Sequence, residues 1–417
     1  MRTEVTTRPG RPAIRRLALA RLISLFGSMA AFNALAFMIF HRSGQSNTWV
    51  SAALLVTFGA QGLFSPLAGW LGDRFDRRDV WIWSELAAAA AWVGLAFAWT
   101  PVSMVVMAFV TATVESPIWP VSGAAIPNLV DEDDLAWANG TIAVGRNIGN
   151  LVGPIVGGVV VALLAPDTTE AQLRTAGFVV FGLNAASFLV AAWLIWSVRA
   201  RFSGEREHEH GGLRAGIRFL VRERVLRALT IAWVVLLLGA GATLVAEVAL
   251  ANDFGTGSVG YGLLQAAWGG GAILGSLLGR RLITTRNEPW AVFAGTLGVG
   301  VGIGLVSLAP WFALAVGLVL VGGSGEGFGG VAEQGMIQRR TPDAIRSRVV
   351  GATEAAVMAA FAISFAFGGP LVDTIGVRWT YALGGISCLI GAAIIVPAMR
   401  QAATEAGETA ETVMVSS

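Results

Sequence analysis

The chain has 417 residues, 55% of them hydrophobic and 13% charged, with a mean hydropathy of +0.66. Soluble domains carry about 25% charged residues, so this composition excludes a fold built for water. A formal charge of +2, with no arginine cluster interleaved with aromatics on a soluble surface, excludes nucleic acid as a partner. The single cysteine, Cys388, excludes disulfides and thiolate metal clusters. Every basic residue other than histidine is arginine, a bias to which no mechanism attaches.

About 20 apolar residues cross a bilayer, and twelve stretches meet that demand. They lie near 17–41, 48–72, 79–99, 102–127, 135–164, 174–198, 226–251, 258–283, 289–308, 310–336, 346–371 and 377–399. Residues 1–16 are basic and lead into a long apolar run without a cleavage site, which reads as a cytoplasmic tail. Arginines crowd the tail, the 2–3 loop, the stretch from Arg199 to Arg227, and the 8–9 and 10–11 loops. Only Arg42, Arg174 and Arg378 fall on the other side, and Arg146 lies within a span. The bias of arginine toward cytoplasmic loops puts both termini inside, in the plasma membrane. Residues 199–225 divide the spans into bundles at 17–198 and 226–399, and 400–417 reads as a disordered tail. Within the divider, Leu213, Ile217, Leu220 and Val221 recur at helical spacing among arginines, the pattern of an amphipathic helix on the inner membrane surface. His208 and His210 lack a convergent third ligand and read as solvated loop, so no metal is expected.

In the fifth span, Gly145, Gly149, Gly153 and Gly157 fall four apart and line one helical face, with Pro154 and Gly158 beside them. Such a face lets two membrane helices pack backbone to backbone. The halves also repeat. Adding 211 takes Glu115 to Glu326, Gly140 to Gly351, and Gly157 and Gly158 to Gly368 and Gly369. Matched halves are the mark of transporters that rock about a central site.

After the second span comes GWLGDRFDRR, Gly69 to Arg78. It resembles the loop signature of the major facilitator superfamily, G-x-L-(A/G)-D-R-x-G-R-(K/R). Gly69, Leu71, Gly72, Asp73, Arg74, Arg77 and Arg78 match, while Asp76 stands where the family has glycine. The resemblance implies an all-α membrane fold of twelve helices in two pseudo-symmetric six-helix bundles. It also implies a cytoplasmic latch in which Asp73 and Arg74 pair across the half-interface. The second-half copy, Gly275 to Arg281, has no aspartate. The positions Gly140, Gly149, Gly153, Pro154, Gly157 and Gly158 resemble the fifth-helix motif of proton-coupled efflux members, which implies export and a helix that slides against the other half. The stretches 120–140, 213–227 and 338–351 look like segments of the macrolide-efflux and enterobactin-exporter branch.

Charges at bilayer depth are costly and mark function. Glu115 and Arg146 lie roughly 20 Å and 17 Å deep on consecutive antiparallel spans, at 1.5 Å per residue, a placement that suits an ion pair. Glu326 is the mate of Glu115, but Val357 stands at the position matching Arg146, so Glu326 lacks that partner and is the first choice for a proton site. Glu354, Glu333 and Glu247 are second choices. Each of these acids has a plain alternative, a satisfied interhelical hydrogen bond. Phe32, Asn33, Trp119, Trp233, Trp268 and Phe328 are candidates to line a substrate path, the alternative for the aromatics being lipid contact or interfacial anchoring.

The expected function is therefore secondary active export of small, largely apolar, drug-like molecules by proton antiport. A siderophore or secondary-metabolite exporter is the alternative, and sodium stays open as the coupling ion. A non-transporting sensor is expected to lose Asp73 and the buried acids. No phosphate loop, catalytic set or cofactor motif argues for an enzyme. The expected partners are a small-molecule substrate, protons and the lipid bilayer, with the chain a monomer.

Overall fold

The structure is a computed structural model that describes residues 10–131, 134–200, 202, 214–342 and 345–416; side chains at 65–70, 73, 136, 214–215, 347 and 406–416 are outside the description. The His208–His210 stretch lies outside the described residues.

The described residues form fourteen α-helices. In the first half these are α1 (Gly10–Arg42), α2 (Asn47–Arg74), α3 (Arg77–Ala96), α4 (Pro101–Glu115), α5 (Ile118–Ala125), α6 (Leu135–Leu164) and α7 (Glu170–Trp196). The second half has α8 (Arg214–Arg222), α9 (Arg224–Asp253), α10 (Gly257–Leu282), α11 (Glu288–Val306), α12 (Phe312–Arg340), α13 (Arg346–Ile375) and α14 (Val377–Ser416). Nine segments among them are long and apolar enough to cross a membrane, with α4 and α5 counted inside one, Pro101–Asn128. The helices α2, α3 and α10 are also long, at 28, 20 and 26 residues, and fall where the sequence predicts spans.

The repeat is visible in which helices pack together. In the first half α1 packs on α6 and α7, and α3 on α7 and α4. In the second half α9 packs on α13 and α14, and α11 on α14 and α12. The chain separates into two compact units that do not coincide with the sequence halves. Unit 1 comprises Met1–Gln45, Val56–His208 and Gly257–Gly262; unit 2 comprises Ser46–Leu55, Glu209–Thr256 and Leu263–Ser417. Within unit 2, the Asp373 carboxylate caps the start of α2, accepting from the backbone N–H groups of Asn47 (3.0 Å) and Thr48 (3.1 Å). Within unit 1, Ser258 Oγ donates to the carbonyl of Gly158 at 2.8 Å.

The glycine ladder faces α1. A Cβ on Gly145 would meet the Ala18 carbonyl at 3.2 Å, one on Gly149 the Phe26 nitrogen at 3.1 Å, and one on Gly153 the Phe26 carbonyl at 2.8 Å; one on Gly157 would overlap the Ala30 backbone. The ladder therefore locks two helices of one unit, a correction to the expected sliding surface against the other half. Off the ladder, Gly158 meets Ser258 and Val259, and Gly262 of α10 approaches the backbone of Pro154 and Ile155. Pro154 sits inside α6 without ending it.

Three further boundaries differ from expectation. Helix α1 begins at Gly10, inside the expected tail. Helix α14 runs to Ser416, so the C-terminal stretch expected to be disordered is helical; Glu405 there accepts from Gln401 and pairs with Arg340. The fourth span breaks at Ser116–Pro117. Proline donates no backbone hydrogen bond, and Pro117 and Pro120 leave two such gaps within four residues. At the matching positions α12 carries Phe328 and Val331 and stays continuous. The amphipathic segment forms α8, whose Leu220 joins the core of unit 2.

In the loop before α3, Asp76 is the N-cap of that helix, its Oδ1 accepting from the Arg78 N–H at 2.8 Å. Arg77 donates to the Ala124 carbonyl (2.9 Å) and Arg78 to that of Trp196 (2.6 Å), so both tie the loop to unit 1. Gly72 is buried, with Val121 against it. The Asp73 side chain and Gly69 lie outside the described side chains.

Gly157→Ala is expected to lower the thermal stability of the detergent-purified protein by about 1–3 kcal/mol, the usual range for overpacking. Gly140, with nothing within 4 Å of a built Cβ, is the contrast: Gly140→Ala is expected to be neutral or to stabilise by up to about 1 kcal/mol. Asp76→Ala is expected to cost about 1 kcal/mol through the lost cap, read in the same melting experiment.

Candidate functional site

Carboxylates in a membrane interior need donors, because no water is there to supply them. The chain meets this need with tryptophan. In unit 1, Trp81 Nε1 donates to Glu85 Oε1 at 2.9 Å and Trp92 Nε1 to Glu115 Oε1 at 2.6 Å. In unit 2, Trp233 Nε1 donates to both oxygens of Glu333 at 2.7 Å, and Trp268 hydrogen-bonds Glu326. An indole N–H can only donate, so it serves a carboxylate without adding a charge.

The charges of unit 1 differ from the expected pairing. Glu115 does not ion-pair with Arg146. Its nearby cation is Arg21, which sits in the field of both Glu85 and Glu115. Arg21 is only 8% exposed, and Glu85 is fully buried. Sequence reasoning groups Arg21 with the cytoplasmic arginines and passes over Glu85. Two signals point to them: Arg21 stands beyond the start of the first span, and Glu85 follows Trp81 by one helical turn. Arg146 instead lies over the Trp119 ring, 5.1 Å from its centroid, and Arg21 lies 5.5 Å from the same centroid. The ladder sets this up, since Gly145 packs against Leu22 and so draws the neighbouring residues Arg146 and Arg21 together.

In unit 2, one cavity of about 110 Å³ gathers Glu326, Trp233 and Trp268. Glu247, Phe361 and Tyr381 also line it, and no basic residue does. Glu247 is 5% exposed; Gln265 hydrogen-bonds it, while its Oε2 is buried without a hydrogen-bond partner. Glu247, a second choice from sequence, thus lines the same cavity as Glu326. Glu333 is held by Trp233 outside this lining, and Glu354 is exposed. Asn33 is fully buried in helix packing, Phe32 packs edge-on to Phe58, and Phe328 packs on the unit 2 core. Of the six path candidates, Trp233 and Trp268 line the cavity, and Trp119 is 55% exposed. Among the described residues no cluster of three or more metal-ligating side chains occurs.

Buried acids thus occur in both of the repeated bundles. The chain is 26% identical over 350 residues to the enterobactin exporter of Escherichia coli O127:H6 (strain E2348/69 / EPEC), covering 82% of this chain and 80% of that one. Among solved structures, a bacterial homologue of the iron transporter ferroportin in its inward-facing state superposes with a TM-score of 0.73 at 16% identity, covering 93% and 98% of the two chains. The nucleoside transporter NupG superposes with a TM-score of 0.74 at 12% identity, covering 93% and 99%. Both show the fold. The sequence profile of the Major Facilitator Superfamily matches residues 17–246 and again 229–414. The chain is a multi-pass membrane protein and belongs to the Major Facilitator Superfamily.

Proposed function

We propose that the protein is a secondary active exporter of small molecules, driven by proton antiport through alternating access in the plasma membrane, with both termini cytoplasmic. The observation that carries this reading is the unit 2 cavity, lined by Glu247 and Glu326 and by no basic residue. In an apolar cavity, a carboxyl group that gains or loses a proton changes the local charge by a full unit. A charge there is costly, so the proton decides which conformational state is favoured, and binding to one state shifts the population. Glu115, with Trp92 and Arg21 around it, is a second exchangeable acid. The latch role of Asp73 and Arg74 and the outward direction of transport are part of the proposal and rest on the motifs.

Two substrate readings compete. Composition and motif resemblance support small, largely apolar drug-like molecules. The relatives named as enterobactin exporters support a siderophore or related metabolite.

Transport into inside-out vesicles tests the coupling. A panel of macrolides, dyes and siderophores is offered with an imposed proton gradient, with a sodium gradient, and with a protonophore. The wild type is expected to respond to the proton gradient alone. Glu326→Gln is expected to transport no faster with the gradient than without it, while still exchanging substrate across the membrane. Unchanged proton-driven transport by Glu326→Gln would remove this residue from the mechanism, and a response to sodium alone would remove the proton.

A further inference from the structure

Trp119 is a tryptophan within a membrane span that does not behave as a lipid anchor. The residue is 55% exposed, yet the guanidinium groups of Arg21 and Arg146 lie 5.5 and 5.1 Å from its ring centroid. A lipid-facing indole would not carry two cations, because arginine within a span turns toward protein or a polar cavity. The ring also sits just past the break at Ser116–Pro117. Interrupted helices at membrane depth occur where the backbone is buried in protein or lines a cavity.

The charge balance is uneven. Arg21 is in the field of Glu85 and Glu115, whereas Arg146 has no carboxylate partner among the described residues. Two like charges over one ring repel, and no anion of the described chain lies against Arg146 to relieve it. The feature is also particular to one half: the offset that takes Glu115 to Glu326 takes Trp119 to Gly330 and Arg146 to Val357. A purely architectural feature of the repeat would be expected in both halves.

We infer that Arg146, Trp119 and Arg21 form a binding site for an anionic aromatic group, an aryl carboxylate or a phenolate. The aromatic part packs against the exposed part of the Trp119 indole, and the negative oxygen takes guanidinium N–H bonds from Arg146, with Arg21, itself 8% exposed, adding its charge. This deepens the exporter reading and rests on it for the meaning of the ligand as substrate. It chooses between the two substrate readings, since a wholly apolar molecule would leave Arg146 uncompensated.

The test is binding to the full-length purified protein in detergent, followed by ¹⁹F NMR of 4-fluorobenzoate and of its neutral counterpart 4-fluorobenzamide. Signal from empty micelles is subtracted. The benzoate is expected to bind about tenfold more tightly than the benzamide, as a charge-assisted hydrogen bond provides. Arg146→Gln is expected to abolish that preference, and Arg146→Lys to restore part of it. Trp119→Leu should weaken both probes and Trp119→Phe should retain them. Arg146 pairs with no acid among the described residues, so Arg146→Gln strands no carboxylate there, and an unchanged melting temperature confirms its fold. Equal affinity for the two probes, or a benzoate preference that survives Arg146→Gln, would overturn the site. Binding does not depend on coupling, so a failure here leaves proton-driven export standing, and a failure of coupling leaves this measurement intact.

Discussion

The constraint on which the structure turns is the cost of a carboxylate in a membrane. A buried ionised group without partners is penalised by several kcal/mol even after relaxation, so each acid kept at depth needs an arrangement around it. Here the arrangement is repeated four times: an indole N–H aimed at a glutamate, in Trp81–Glu85, Trp92–Glu115, Trp233–Glu333 and Trp268–Glu326. An arginine in place of each tryptophan would lock the charge in place. The indole supplies a hydrogen bond without a charge, and in the proposed mechanism the proton stays free to come and go. That is why the cavity in unit 2, with two glutamates and no basic lining residue, carries the coupling proposal better than the interior of unit 1, where Arg21 sits in the field of Glu85 and Glu115.

Packing then places these groups. The four-spaced glycines bring α6 onto the backbone of α1, and that approach sets Arg146 beside Arg21. The prolines at 117 and 120 flank Trp119 at the break in the fourth span, where both guanidinium groups approach its ring. The second half has neither prolines nor arginine at the matching points, and α12 runs unbroken. Two bundles built from one repeat have therefore diverged in charge: cations on an aromatic face in unit 1, acids in an aromatic cavity in unit 2.

Most of the fold is legible from the sequence because hydropathy responds to the bilayer itself. The doubled halves are legible too, since Glu115 and Glu326 keep their spacing. The site is legible only in part. Glu326, Trp233 and Trp268 stand out in the sequence and share a cavity, but Glu115 and Arg146 match by depth alone. Depth does not say which way a side chain turns, and the cation whose field Glu115 feels is Arg21 from another helix. Arg21 is hidden by its neighbours, as it continues a run of loop arginines. The ladder reads correctly as a packing face, but its partner is set by tertiary structure, and so is the Asp76 cap, which reads in sequence only as a departure from a motif.

The central claim is that a buried carboxyl group in unit 2 exchanges its proton when substrate binds. Difference infrared spectroscopy of the glutamate carboxyl band reads this most directly, on protein with isotope-labelled glutamate, before and after adding a substrate shown to bind. The account predicts a change in the protonated-carboxyl band that disappears in Glu326→Gln. An unchanged band at full substrate occupancy would contradict it.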